Sequence, residues 1–110
     1  MPHFVIDYAK DIEADNDLEK IVQEVHKIAI GANLFTPADV KTRAMGYEKY
    51  LAGEEQGSFI HVQISLLEGR TVEQKKTLVD PIFTYLKENT VNVTKVTVDI
   101  RDMDKDTYAK

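Results

Sequence analysis

The sequence predicts an α+β fold: two tandem β-α-β units whose four strands form one sheet, with two helices on one face. Three observations carry this. Alternating apolar residues mark short strands at 2–8 and 59–67. Apolar residues at spacings of three, four and seven mark a helix after each of them. The pattern also restarts halfway, with His3 aligning on His61 (offset 58) and Val25 on Ile82 (offset 57). The 110 residues read as a single domain, 1–110, with internal repeats at about 2–50 and 58–103. Two independent cores would have only ~55 residues apiece, near the limit for folding alone.

In the first strand Pro2, Phe4, Ile6 and Tyr8 share one face. Asp15-Asn16-Asp17 supplies an N-cap for a helix of about four turns carrying Leu18, Ile21, Val22, Val25, Ile28 and Ala29. Gly31 stops it, with Pro37 beyond. A strand follows around Val40–Glu48, then a polar loop, Ala52–Gly57, with two glycines. In Phe59–Leu67, Ile60, Val62, Ile64 and Leu66 share a face. Glu68-Gly69 turns the chain, and Thr71-Val72-Glu73 opens a second helix carrying Leu78, Ile82, Phe83 and Leu86. Pro81 either kinks that helix or begins a fresh segment over 81–89, and the uninterrupted apolar spacing favours the kink. The last strand, Lys95–Arg101, directs Val96, Val98 and Ile100 inward. The sheet face away from the helices shows His61, Gln63, Ser65, Thr97 and Asp99 with Arg43, Met45 and Tyr47. It is either solvated or packed against other subunits.

Composition narrows the function. Fourteen Lys and Arg against 19 Asp and Glu give a net charge of −5, a poor match to nucleic-acid phosphates. The absence of cysteine excludes disulfides, thiolate metal sites and a cysteine nucleophile. No apolar run approaches ~18 residues, and MPHFVIDYAKD has neither the basic nor the apolar region of a signal peptide. The expectation is a cytoplasmic protein with no membrane or nucleic-acid partner. His3, His26 and His61 lack metal-ligand spacing, so no metal is expected; His26 reads as surface, and His3 and His61 as repeat-equivalent strand positions. No phosphate-binding glycine loop or nucleophile elbow is present.

Pro2 stands out by position. Removal of Met1 before so small a residue exposes a prolyl secondary amine. Terminal amines titrate near ~7.7–8, and apolar burial or a neighbouring arginine lowers that toward the value proton abstraction favours.

MPHF at the start, Tyr50-x-Ala-Gly and Ser58-Phe-Ile-His-Val together resemble the 5-carboxymethyl-2-hydroxymuconate Δ-isomerase family of the tautomerase superfamily. The stretch Leu67-Glu68-Gly69-Arg70-Thr71-Val72-Glu73-Gln74-Lys75-Lys76 resembles the short 4-oxalocrotonate tautomerases. The resemblance implies an isomerase of aromatic-compound catabolism that moves a proton in a carboxylated enol or keto substrate without a cofactor. It maps the N-terminal proline base onto Pro2, and the catalytic, carboxylate-binding arginines onto Arg43 and Arg70. It also implies a homotrimer, which covers the open sheet face. Guanidinium groups suit this role because they bind carboxylates bidentately. The repeat places Ile12 opposite Arg70, Ile60 opposite Pro2 and Thr97 opposite Arg43, so one complete site per chain is expected. Two other readings are a non-catalytic oligomer that binds a small acid, and a ferredoxin-like binding domain with the same element order.

Overall fold

The computed structural model describes residues 1–54 and 56–110; Glu55, in the polar loop expected from the sequence, lies outside them. The elements are β1 (His3–Ala9), α1 (Leu18–Gly31), β2 (Lys41–Tyr47), β3 (Phe59–Leu67), α2 (Val72–Asn89) and β4 (Lys95–Met103), with 3-10 turns at Lys10–Ala14 and Pro37–Asp39. The sheet order is β2-β1-β3-β4. Each β-α-β unit contributes a parallel pair, β1 with β2 and β3 with β4, and β1 joins β3 antiparallel.

Side-chain alternation puts Pro2, just ahead of β1, with Phe4, Ile6 and Tyr8 from β1 and Ile60, Val62, Ile64 and Leu66 from β3, into the interior. Both central strands have the period-2 burial expected when only one face meets helices. Ile21, Val25 and Ala29 from α1 and Leu78, Ile82 and Leu86 from α2 complete the core. Asp17 caps α1 by accepting from the Lys20 N–H, and Thr71 and Gln74 form a reciprocal capping box on α2. Both helices lead into an asparagine with left-handed backbone, Asn33 at φ 58° and Asn92 at φ 59°, a repeat signature that apolar periodicity does not register.

Three expectations are corrected. Phe83 is 40% exposed, because the buried stripe of α2 is the narrow i, i+4, i+8 row of Leu78, Ile82 and Leu86. His26 is half-buried, and its Nδ1 lies 2.8 Å from the Thr42 hydroxyl, tying α1 to β2. The register overturns the pairing of Arg43 with Thr97. His3 sits beside Lys41 and His61 beside Thr97, so Thr97 matches Lys41 and Asp99 matches Arg43. The helix is unbroken through Pro81, which lies on its exposed side, where water can replace the missing N–H.

Candidate functional site

β1 presents adjacent residues to opposite faces, and this divides the candidate site residues. Pro2, just ahead of the strand, is buried on the helix side, where its carbonyl accepts the Lys41 N–H at 3.1 Å. It lines a cavity of ≈200 Å³ whose walls include Leu34 and Phe35 from the α1–β2 connection, Leu67 from the end of β3, and Arg70.

Arg70 is placed by the turn after β3, where Gly69 has φ 121°, a conformation that side chains rarely adopt. Its guanidinium donates to the Leu34 carbonyl at 2.8 Å and the Leu67 carbonyl at 3.4 Å, and lies 5.1 Å from the Phe35 ring centroid. Phe35 packs edge-on against Phe4, so the arginine rests on the core. The two carbonyls leave further N–H donors of the fork for an anion.

Asp39 and Lys110 also line the cavity. The Met1 amine is held below its ordinary value of 8.0, first by burial and then by the Lys110 charge. Asp39 opposes the shift, and Arg70 and Lys41 add to it.

Arg43 lies elsewhere. In register with Val5, it occupies the open sheet face and borders a shallow pocket of ≈330 Å³ with Asp7, Met45 and Tyr47. Its Nη1 donates to His3 Nδ1 at 3.1 Å. Arginine can only donate, so His3 Nδ1 accepts, and its protonated Nε2 donates to the Tyr108 hydroxyl 2.9 Å away. Burial, then the Arg43 charge, lowers the His3 pKa from 6.5. Within one chain, Pro2 and Arg70 therefore share a cavity that Arg43 does not line.

The sequence reading missed Phe35, Asp39, Tyr108 and Lys110, and treated His3 as repeat architecture alone. Only Phe35 and Asp39 carried a local signal, as neighbours of Pro37 in a helix-to-strand connection. Among the described residues no group of three or more His, Asp or Glu could hold a metal ion, and no helix is long and apolar enough to cross a membrane.

The family model for 5-carboxymethyl-2-hydroxymuconate isomerase matches residues 2–108. The chain is similar to a 2-hydroxymuconate tautomerase from Bacillus subtilis (strain 168), 44% identical over 50 residues, which are 44% of this chain and 81% of that protein. It superimposes on a 5-carboxymethyl-2-hydroxymuconate isomerase from Deinococcus radiodurans R1 with a TM-score of 0.78 at 19% identity, over 99% of this chain and 87% of the other. A fused 4-OT symmetric trimer gives a TM-score of 0.71 at 18% identity, over 99% and 89%. The two-unit sheet, the match across nearly the whole chain and these relatives agree: the chain is an isomerase and belongs to the 5-carboxymethyl-2-hydroxymuconate isomerase family of the tautomerase superfamily.

Proposed function

We propose that this chain is a cofactor-independent tautomerase that moves a proton in a 2-hydroxymuconate-like enol or keto acid, with Pro2 as base once Met1 has been removed. The observation that carries the reading is the shared cavity of Pro2 and Arg70. The prolyl amine takes the proton from the enol hydroxyl. The electron pair passes through the conjugated chain, the oxygen becomes a carbonyl, and the prolinium returns the proton to a carbon further along. Substrate and product have the same atoms, so no oxidant or acceptor is consumed. Burial and the neighbouring cations that depress the amine at Met1 would act in the same direction on an amine at Pro2, favouring its free base. Arg70 holds the substrate carboxylate and offsets charge developing on the oxygen.

Arg43 joins the site from a second copy of the chain in a homotrimer. This reading is supported by its position on the open face, outside the Pro2 cavity, and by exposed Met45 and Tyr47 beside it. The trimeric assembly of the fused 4-OT relative supports it too. The protein acts in the cytoplasm, in the breakdown of aromatic compounds.

The test joins intact mass to kinetics. Protein lacking Met1 is expected to ketonise 2-hydroxymuconate, and a variant with one extra residue ahead of Pro2 is expected to fail, because its proline nitrogen is an amide. Equal kcat/KM for the two forms overturns the role of Pro2. A monomer in light scattering overturns the role of Arg43.

A further inference from the structure

Arg43 is held in place without being neutralised. Among the described residues it has no ion pair, although Asp7 borders the same shallow pocket. The Asp7 carboxylate instead accepts from the Tyr47 hydroxyl at 3.3 Å. The guanidinium is held by Nδ1 of half-buried His3, an uncharged acceptor at 3.1 Å. The second unit does the opposite. Asp99 stands in the place of Arg43, and its carboxylate is paired with Arg101 on the same strand at 2.7 Å.

A carboxylate partner cancels the charge of a guanidinium and competes with an incoming anion. A neutral acceptor fixes one N–H and leaves the charge and the remaining donors for a ligand. His3 accepts at Nδ1 only in the tautomer protonated at Nε2, and the tail that follows β4 selects that tautomer. There the Glu68 carboxylate accepts the Lys105 N–H at 3.0 Å, and the Asp104 carbonyl accepts from the N–H groups of Thr107 and Tyr108. The Tyr108 hydroxyl then takes the Nε2–H at 2.9 Å, with the two rings edge to face. The titratable and charged groups facing His3 are Arg43 and Lys41 from β2, the chain's terminal amine and the Tyr108 phenol. From β3 it faces Ser65. None of these is a carboxylate, and the three cations all favour the neutral ring.

We infer that His3 is the positioning residue for Arg43: its neutral Nδ1 aims the guanidinium, uncompensated by any carboxylate, at the substrate of a neighbouring copy, and Tyr108 fixes the tautomer that can do so. This rests on the reading in which Arg43 joins a second copy's site. His3 acts on the substrate only through Arg43. A protonated His3 carries N–H at both nitrogens, so it repels the guanidinium and releases it.

A double-mutant cycle on protein lacking Met1, with 2-hydroxymuconate as substrate, tests this. His3→Ala is expected to lower kcat/KM roughly tenfold, within the reach of a misplaced substrate-holding group. The loss should fall on the same parameter, kcat or KM, that Arg43→Ala moves, and should vanish in the Arg43→Ala background. Tyr108→Phe, which keeps the ring, should give a smaller loss that vanishes there too. A merely structural role lowers activity equally in both backgrounds. His3→Asn offers a neutral acceptor that does not titrate, and should recover most of what His3→Ala loses. The ratio of parent to His3→Asn in kcat/KM should be level above about pH 6.5 and fall below it, because only the parent loses its hold on Arg43. Protonation of Pro2 is common to both proteins and drops out of that ratio. Should His3→Ala fail to fold, this ratio decides, together with a histidine NMR titration in which Arg43→Ala should raise the His3 pKa.

The inference is overturned if the folded His3→Ala matches the parent, if its loss is equal in both backgrounds, or if the ratio stays level to about pH 5. If Arg43→Ala itself leaves kcat/KM unchanged, the reading of Arg43 falls and this inference with it. If Arg43→Ala is impaired and His3→Ala is not, this inference falls alone.

Discussion

At the end of the sheet where β1 begins, Pro2, Leu67 and Arg70 surround a cavity. At the other end, where β3 begins, the repeat puts Ile60, Ala9 and Ile12 in the same three places, and each of those is buried. Arg43 on the open face has Asp99 as its counterpart, itself ion-paired with Arg101 at 2.7 Å. The second end is closed by backbone-directed contacts. Asn16 exchanges two hydrogen bonds with the Val91 backbone, Asn92 donates to Asp15, and Ser58 bonds both Asn92 and Thr94. A hollow of ≈300 Å³ beside these residues is bordered by Asp11 and Asp15 and is unsuited to an anion. Two equivalent strand starts thus yield a cationic cavity at one end and, at the other, an apolar plug of Ile60, Ala9 and Ile12 beside an acidic hollow. The backbone repeat supplies the places, and a handful of side chains decides whether cations or carboxylates line each end.

The largest expected effect breaks the functional end alone. One residue added ahead of Pro2 should lower kcat/KM by ~10²–10⁴-fold, the usual reach of a general base, with little change in thermal unfolding. Pro2→Ala should retain part of the activity, because a terminal amine survives.

The matching change at the plug should do the reverse. Ile12→Ala removes a side chain that is 2% exposed and is expected to cost about 2–5 kcal/mol in urea unfolding, while kcat/KM of the folded fraction stays near the parent value. Comparable damage to activity from both ends would erase the contrast.

Arg70→Ala should reduce kcat/KM by roughly tenfold to a hundredfold, from loss of about 1–3 kcal/mol of charge-assisted binding, and Arg70→Lys should not restore it.

The smallest effect is a pH dependence. The folded chain holds His3 below 6.5, so as the pH falls the unfolded chain takes up the proton first. Its contribution to stability is intact above about 6.5 and is lost as the pH drops toward the folded value. His3→Asn should flatten that part of the stability–pH curve. His61, at the equivalent place on β3, bonds the Thr97 hydroxyl at 2.7 Å instead of an arginine.

Most of the backbone could be read from periodicity, because the central strands and both helices bury one face each and write that face into their spacing. Phe83 misled because an apolar residue adjacent to a buried stripe has the same local pattern as one within it. The Lys10–Ala14 turn, which buries Ile12, is too short to have a period. The Thr97 pairing failed because the second unit reaches its parallel strand two residues sooner than the first, and a single offset cannot express that. Pro2 and Arg70 stood out through position and resemblance. Tyr108 and Lys110 could not, since they meet Met1, Pro2 and His3 only after both terminal segments have crossed the sheet end.

The bond between Tyr108 and His3 spans nearly the whole chain and imposes an order on biosynthesis. His3 leaves the ribosome well before Tyr108, which follows it by 105 residues. At ~5–20 residues per second, an aminopeptidase has on the order of ten seconds of synthesis to reach Met1 before the tail is available. Once Tyr108 docks, Met1 is half-buried. In the proposed mechanism, exposure of the base is therefore a race between trimming and folding. A chain refolded with Met1 in place would keep its fold and lose its chemistry.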